Sequence, residues 1–285
     1  MKLQTIVGIK PSAWKIGYED KILLLGSCFS DEIGEQMKQR YLSVTSNPFG
    51  TLYNPLSIAQ AINIKHQPSG IHLVEHDGLW HSMAHHGSFS RPTKEEAEQA
   101  VKASIETMQQ SLEEATVVIV TFGTAWIYEM NGEIVGNCHK LPENYFTRRR
   151  LTVEEIVTAW KPILEQYKDK HWIFTISPIR HIKDGLHENQ LSKATLLMAI
   201  DQLVNNGQSS VNSQSSNRQY FEAFEILLDE LRDYRFYADD LVHPSSMAVL
   251  YIWERFVDTY CTPQTRNELI LQHKRWKHEH HIPLH

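Results

Sequence analysis

Residues 21–30 read Lys-Ile-Leu-Leu-Leu-Gly-Ser-Cys-Phe-Ser, and this stretch decides the fold. The apolar run 21–25 is typical of a buried parallel strand, and it changes abruptly to small and polar residues before a helix-like segment. A strand that ends in Gly26-Ser27 places a hydroxyl at the carboxyl edge of a sheet, where open α/β sheets bind ligands. Ser27 is therefore either a functional residue or the cap of an ordinary strand-to-helix turn, and this stretch alone favours the cap.

The composition limits the class of protein. The chain has 285 residues, of which 41% are hydrophobic, and its net charge is -6. These values are typical of a folded globule and argue against a nucleic-acid partner. Arg148–Arg150 form a local basic run, which we interpret as an exposed helix entry, with contact to an anionic substrate as the alternative. Three widely spaced cysteines predict neither a disulfide framework nor a zinc ribbon. No apolar run resembles a signal peptide or a membrane span, so we expect a cytoplasmic protein without a membrane partner.

Predicted strands and helices alternate along the chain. The strands are expected at 21–25, 42–46, 116–122, 171–177 and 219–221, and the helices between them at 31–41, 57–64, 93–113, 152–167 and 190–206. Asp77-Gly78 and Asn131-Gly132 predict two hairpin insertions. We therefore expect one three-layer α/β domain over 1–285, with a flexible connection at 208–217 and a helical tail from about 262.

Nucleophilic catalysis needs a hydroxyl, an imidazole that takes its proton and a group that orients the imidazole. Asp240 and His243 are three residues apart, so a tight turn or a first helical turn can bring both side chains to one face. The carboxylate would then hold Nδ1–H and present Nε2 to Ser27. Asp239 is the second choice as the orienting group. The spacing alone favours a helix-capping Asp beside a surface His, and the catalytic interpretation depends on the stretch that carries Ser27. Cys28 is a second possible nucleophile, which we interpret as a packing residue.

Histidines are frequent in two regions, near His81, His85 and His86 and in the tail. Their spacing is compatible with metal ligands, but turn residues near Gly87 argue against a helical His pair. We expect no metal and no cofactor. The tail histidines are His273, His278, His280, His281 and His285.

The segment 26–30, Gly-Ser-Cys-Phe-Ser, resembles the signature of the GSCFA family, in which the fifth residue is usually Ala. That family belongs to the SGNH, or GDSL-like, hydrolase superfamily. The resemblance covers about residues 21–255, because further segments follow in the family's order. These segments are Asn47–Gly50, Phe122–Trp126, Ser177–His181, Arg232–Tyr237 and Asp240–Ser245.

The resemblance implies a flavodoxin-like α/β/α sandwich and a set of site residues. It makes Ser27 the nucleophile, His243 the general base and Asp240 its orienting partner. The N–H groups of Ser27 and Gly50 would bind the oxyanion. The superfamily's third donor is the Asn of a Gly-x-Asn after the third strand, where this chain has Gly123-Thr124-Ala125. The hydroxyl of Thr124, or the side chain of Asn54 or Asn47, is a candidate replacement.

The expected function is hydrolysis of a small ester through an acyl-enzyme. Superfamily analogy, together with Trp80, Trp126 and Tyr128 in the insertions, favours O-acetyl or other short acyl groups on a carbohydrate-like substrate. An acyltransferase with the same triad and a non-catalytic binding protein on this scaffold are the alternatives. The residues expected to contact substrate are Asn54, Trp126, Arg180 and His181.

Overall fold

Strands and helices alternate along the chain as the sequence predicts. The computed structural model describes residues 4–64, 72–205 and 217–280. Its strands are β1 (Lys21–Gly26), β2 (Ser43–Ser46), β3 (Leu73–His76), β4 (Leu79–Ser82), β5 (Val117–Phe122), β6 (Trp126–Met130), β7 (Glu133–Val135), β8 (Thr147–Arg150), β9 (His171–Ile176) and β10 (Arg218–Phe221). Its helices are α1 (Cys28–Lys38), α2 (Pro55–Asn63), α3 (Lys94–Glu114), α4 (Val153–Gln166), α5 (Leu186–Asn205), α6 (Ala223–Glu225, continued by a π-helical turn over Ile226–Leu231), α7 (Ser246–Tyr260) and α8 (Pro263–Glu279).

The central sheet is parallel and has the strand order β2-β1-β5-β9-β10. When only these five strands are numbered, the order is 2-1-3-4-5, which is the flavodoxin-like arrangement. Strands β1, β5 and β9 are almost entirely buried, because helices cover both faces of the sheet. The prediction of a three-layer α/β/α sandwich with a flavodoxin-like parallel sheet is confirmed.

Two apolar cores lie on opposite faces of this sheet. Successive strand residues point to opposite faces, so Leu23 and Leu25 belong to one core and Ile22 and Leu24 to the other. The first core also contains buried residues of α2, α3, α4 and α5, and the second contains those of α1, α6, α7 and α8. The helices therefore form two outer layers.

Both predicted hairpin insertions are present. Strands β3 and β4 pair around Asp77-Gly78, and β6 and β7 pair around Asn131-Gly132. All four turn residues have positive φ, as a two-residue type I′ hairpin turn requires. The hairpins form small sheets of their own, separate from the parallel sheet.

The interpretation of Arg148–Arg150 as an exposed helix entry is wrong. These residues lie in β8, which pairs antiparallel with β6 and adds a third strand to the second insertion. Helix α4 begins later, at Val153, where Thr152 and Glu155 form a reciprocal capping box. A run of three arginines carries no periodicity of its own, and here its cross-strand partners decide its conformation.

Helix α1 begins earlier than the sequence predicts, at Cys28 instead of Asp31. Ser30 lies inside the helix and does not cap it. Its hydroxyl hydrogen-bonds with the Leu25 carbonyl at 3.2 Å and with Thr121 Oγ1 at 2.8 Å. These bonds attach the first turn of α1 to β1 and β5, which fixes the direction in which the chain leaves β1.

The chain outside these layers is described only in part. The predicted connection at 208–217 lies outside the described residues except for Asn217, and so do His281 and His285. Helix α5 begins at Leu186, four residues before the predicted start, and α8 forms the tail from Pro263. Within the described ranges, no helix is both long and apolar enough to cross a membrane.

Gly26 provides a test of the contact between β1 and β5. Its φ is +130°, and an added Cβ would overlap the carbonyl oxygen of Thr121. We expect Gly26→Ala to lower the free energy of unfolding by about 2–5 kcal/mol, through backbone strain and overpacking together. Urea denaturation measures this change. Gly8→Ala is the matched control because nothing lies within 4 Å of its added Cβ; equal losses in the two variants would contradict the close contact.

Candidate active site

A cavity of about 490 Å³ opens at the carboxyl edge of the central sheet. Its walls come from residues that follow β1, β2, β5 and β9, from the β6–β8 insertion, and from the segment before α7. This is the edge where flavodoxin-like sheets bind ligands, at the topological switch point beside the first strand. The predicted site residues that line the cavity are Asn54, Thr124, Trp126, Arg180, His181 and His243.

Ser27 follows β1 directly and is fully buried. Its N–H donates to the Thr121 carbonyl at 3.1 Å, which extends the contact between β1 and β5 by one residue. Ser27 occupies the N-cap position of α1, yet its hydroxyl makes no capping bond and has no hydrogen-bond partner among the described residues. The hydroxyl therefore does not stabilise the helix start, and a buried polar group without a partner is compatible with a catalytic role.

Cys28 lines the cavity, whereas its neighbour Ser27 does not. Burial raises the pKa of the Cys28 thiol to about 11. The reactive form of cysteine is the thiolate, which this environment disfavours at neutral pH. Cys28 is thus exposed to ligands but not activated as a nucleophile.

Asp240 and His243 form a hydrogen-bonded pair at the rim of the cavity. His243 Nδ1 lies 2.6 Å from Asp240 Oδ2, while Asp240 Oδ1 accepts the N–H groups of Val242 and His243 at 2.9 and 3.0 Å. These bonds, with the backbone N–H of His243 first, lower the pKa of Asp240 to about 2. The carboxylate is therefore ionised at neutral pH, and it holds the proton of His243 on Nδ1 and leaves Nε2 as an acceptor. Asp239 makes no ion pair within the described part of the chain.

The segment after β2 brings Gly50 to the same edge. Gly50 has a φ of +72°, and an added Cβ would overlap the His86 side chain. Its N–H donates to the Asn47 carbonyl at 2.7 Å, while the Asn47 side chain accepts the N–H of Gly26 at 2.8 Å. The N–H groups predicted to bind an oxyanion, those of Ser27 and Gly50, are thus both hydrogen-bonded to backbone carbonyls. Asn47 is occupied as the link between this turn and β1.

Thr124 stands beside the position where the superfamily's Asn donor is expected. Thr124 Oγ1 accepts the N–H of Trp126 and lies 3.1 Å from Ser192 Oγ, and Ser192 Oγ in turn accepts the N–H of Ala125 at 2.8 Å. A hydroxyl accepts two hydrogen bonds and donates one. If Ser192 donates to Thr124, the proton of Thr124 remains available to a ligand in the cavity. Sequence reasoning did not find Ser192.

The other residues predicted to contact substrate differ in whether their side chains already make hydrogen bonds within the protein. The Asn54 side chain caps α2 through Ser57, with bonds of 2.8 and 2.9 Å. Trp126 Nε1 and His181 Nε2 are buried and have no partner among the described residues. Burial, followed by the charge of Lys193, lowers the pKa of His181 to about 3, so the ring is neutral. Two polar atoms without partners therefore lie in side chains that line the cavity.

Lys193 is the residue that sequence reasoning missed most clearly. It is fully buried in α5, and its Nζ donates to the carbonyls of Gly123 and Ser177 at 2.7 and 2.8 Å. Burial lowers the pKa of its amine to about 7. Since Gly123 and Ser177 follow β5 and β9, Lys193 ties together the two strand ends that carry Thr124 and His181.

The histidines near β4 support the Gly50 loop. His85 stacks on Phe49 with ring centroids 4.1 Å apart and hydrogen-bonds to Ser82 and Ser104 at 2.7 and 2.8 Å.

Three or more His, Cys, Asp or Glu side chains do not converge on a possible metal position anywhere in the described ranges. Trp80 does not line the cavity at the carboxyl edge of the sheet, whereas Tyr128 does.

The fold and the site together define a class: α/β proteins of flavodoxin-like order with a serine after the first strand and an Asp-His pair at the same edge. The sequence model of the GSCFA family matches residues 21–256, and the protein belongs to that family. No protein with a curated description matches the chain.

Two solved structures are similar to the chain at low identity. The first is a family two carbohydrate esterase from Clostridium thermocellum in complex with cellohexaose, with 12% identity and a TM-score of 0.42, covering 93% of this chain and 67% of that one. The second is a carbohydrate esterase family 3 protein from Talaromyces cellulolyticus, with 10% identity and a TM-score of 0.37, covering 90% of this chain and 99% of that one.

The buried histidines predict a loss of stability in acid. Burial lowers the pKa of His85 to about 3 and of His139 to about 4, so the unfolded chain binds protons below pH 6.5 that the folded chain does not. We expect the free energy of unfolding to fall between pH 6.5 and 4, by roughly 1 kcal/mol per pH unit for each histidine. Urea denaturation of His85→Phe, which keeps an aromatic ring against Phe49, should show a shallower pH slope than the native protein. The exposed His187→Ala is the control, and an unchanged slope in His85→Phe would contradict this account.

Proposed function

We propose that the protein is a serine esterase that removes a short acyl group, such as acetyl, from a carbohydrate-like alcohol. The observation that carries the proposal is the Asp240–His243 pair, which lies at the rim of the cavity beside the end of β1. An ionised carboxylate that hydrogen-bonds to Nδ1 fixes the ring and leaves Nε2 free to accept a proton, which is what a general base requires. Membership of the GSCFA family supports Ser27 as the nucleophile.

In the proposed reaction, Ser27 Oγ attacks the ester carbonyl carbon while His243 Nε2 takes the hydroxyl proton. The tetrahedral intermediate then breaks its bond to the alcohol, and His243 gives the proton to the departing oxygen. Water attacks the acyl-enzyme with His243 again as base, which releases the carboxylic acid and restores the Ser27 hydroxyl. An acyltransferase would follow the same steps with a second alcohol in place of water.

Thr124 is the candidate for the missing oxyanion donor. Its hydroxyl lines the cavity, and Ser192 can orient it by donating to Thr124 Oγ1. The N–H groups of Ser27 and Gly50 would bind an oxyanion only after they leave the carbonyls of Thr121 and Asn47. Because Ser27 is fully covered, the proposal requires a local movement that uncovers its hydroxyl when substrate binds. Hydrogen bonds used in catalysis often tighten only in the substrate complex.

A second candidate function is ligand binding without catalysis. The observation that favours it is that both backbone donors predicted for the oxyanion are already hydrogen-bonded. In that case the Asp240–His243 pair would bind a ligand through Nε2, and Ser27 would stay inert.

Labelling with a fluorophosphonate separates the two functions. We expect the native protein to be labelled on Ser27 at neutral pH and Cys28→Ala to be labelled at a similar rate. Ser27→Ala should not be labelled, and His243→Ala should be labelled at least about 10³-fold more slowly, because the serine loses its base. Circular dichroism shows whether each variant is folded. No labelling of the folded native protein would overturn the esterase, and labelling of Ser27→Ala on Cys28 would overturn the choice of nucleophile.

A further inference from the structure

The cavity carries more positive charge than the protein as a whole. Arg148, Arg180 and Lys183 line it, and Asp184 is the one acidic residue in the lining. The chain itself has a net charge of -6. The positive side chains therefore do not reflect the general composition, and they face the space that a ligand would occupy.

Arg148 is neutralised within the protein. Its Nη2 lies 2.5 Å from Asp184 Oδ1, and its guanidinium stacks over the rings of Trp126 and Tyr128 at 4.3 and 5.3 Å. Arg148 thus fixes one wall of the cavity. It leaves Arg180 and Lys183 as the cations of the lining that have no carboxylate partner within the described part of the chain.

Arg180 is held in a fixed position beside the Asp240–His243 pair. Its N–H donates to the Val242 carbonyl at 3.1 Å, and its Nη1 donates to the Leu241 carbonyl at 3.0 Å. The guanidinium also lies over the rings of Tyr234 and Tyr237, at 5.8 and 5.3 Å. Most of its side-chain N–H donors have no hydrogen-bond partner among the described residues, and such a planar, preorganised group binds a carboxylate or a phosphate well.

We propose that the substrate is an ester that also carries a carboxylate or phosphate group, and that Arg180 and Lys183 bind this anion while the ester lies near Thr124 and His243. The inference rests on the proposed esterase function and adds the substrate class. Arg180 and Lys183 follow β9 on the same loop, so the anion would lie on the His243 side of the cavity. The Ser27 chemistry is the same for neutral and anionic esters, and only recognition differs.

Matched acetate esters test the substrate class. Methyl 4-acetoxybenzoate is neutral, 4-acetoxybenzoate carries a carboxylate, and 4-acetoxyphenyl phosphate carries a phosphate. Each kcat/KM is divided by the rate of uncatalysed hydrolysis, which removes differences in leaving-group reactivity. We expect the normalised kcat/KM of at least one anionic ester to exceed that of the neutral ester by about tenfold or more, since a charge-assisted hydrogen bond contributes that much. The better of the two anionic esters identifies the group.

Variants assign the preference to residues. Lys183→Met and Arg180→Gln should each lower, by several-fold, the ratio of the normalised kcat/KM for the anionic ester to that for the neutral ester. Added salt should lower the same ratio in the native protein. The ratio is the readout because Arg180 also holds the backbone of the segment that carries His243. Lys161→Met, at an exposed position of α4, is the matched control and should leave the ratio unchanged.

The outcomes separate the two proposals. Hydrolysis of the neutral ester at the same normalised rate as both anionic esters would overturn the anionic substrate and leave the esterase intact. An anionic preference that survives in both Lys183→Met and Arg180→Gln would overturn the assigned residues. Hydrolysis of none of the esters, with no fluorophosphonate label on Ser27, would overturn both the esterase and this inference.

Discussion

The contact between β1 and β5 at Gly26 is the constraint on which the site depends. The two backbones approach so closely there that a Cβ added to Gly26 would overlap the Thr121 carbonyl oxygen. The same carbonyl accepts the N–H of Ser27, and the Thr121 hydroxyl bonds with Ser30 in the first turn of α1. Thr121 thus fixes the end of β1, the serine that follows it and the beginning of the helix.

Around this contact, buried polar groups hold the other strand ends in place. Lys193 joins the carbonyls that follow β5 and β9, and Ser192 supports Thr124. Asn47 joins the turn after β2 to the N–H of Gly26. Such bonds are strong in a buried environment, and a lost partner is costly there. These bonds hold the strand ends in place, whereas the proposed reaction requires movement at the covered hydroxyl of Ser27 and, for them to bind the oxyanion, at the N–H groups of Ser27 and Gly50.

The sequence predicts much of the fold because its signals are local and repeated. Apolar runs located β1, β5 and β9, shorter strand-like segments located β2 and β10, and Asp-Gly and Asn-Gly located the hairpins. The Asp240–His243 pair was predicted from a spacing of three, which lets a turn bring both side chains to one face, taken together with the family resemblance. The start of α1 was not predictable, because Ser27 and Ser30 are both residue types that commonly cap helices. In the structure Ser30 bonds with Thr121 and lies inside the helix.

Burial of Lys193 in α5 could have been predicted from the sequence, although we did not predict it. Lys193 falls three residues before Leu196 and seven before Ile200, so it lies on the buried face of that helix. A lysine at such a position is a signal of a buried amine. Its partners are backbone carbonyls far away in the sequence, which no pattern of residue types encodes. The hydrogen bond of the Ser27 amide to the Thr121 carbonyl was unpredictable for the same reason, whereas the Gly50 amide bonds locally, to the Asn47 carbonyl within one turn.

The central claim is that Ser27 carries the acyl group during turnover. Rapid acid quenching during hydrolysis of an activated acetate ester, followed by mass spectrometry of the tryptic peptide 22–38, tests it directly. The account predicts one added acetyl group on this peptide, and fragmentation should locate it on Ser27. In His243→Ala the acetylated peptide should accumulate much more slowly. Turnover of the ester without any acetylated peptide, or with the acetyl group on Cys28, would contradict it.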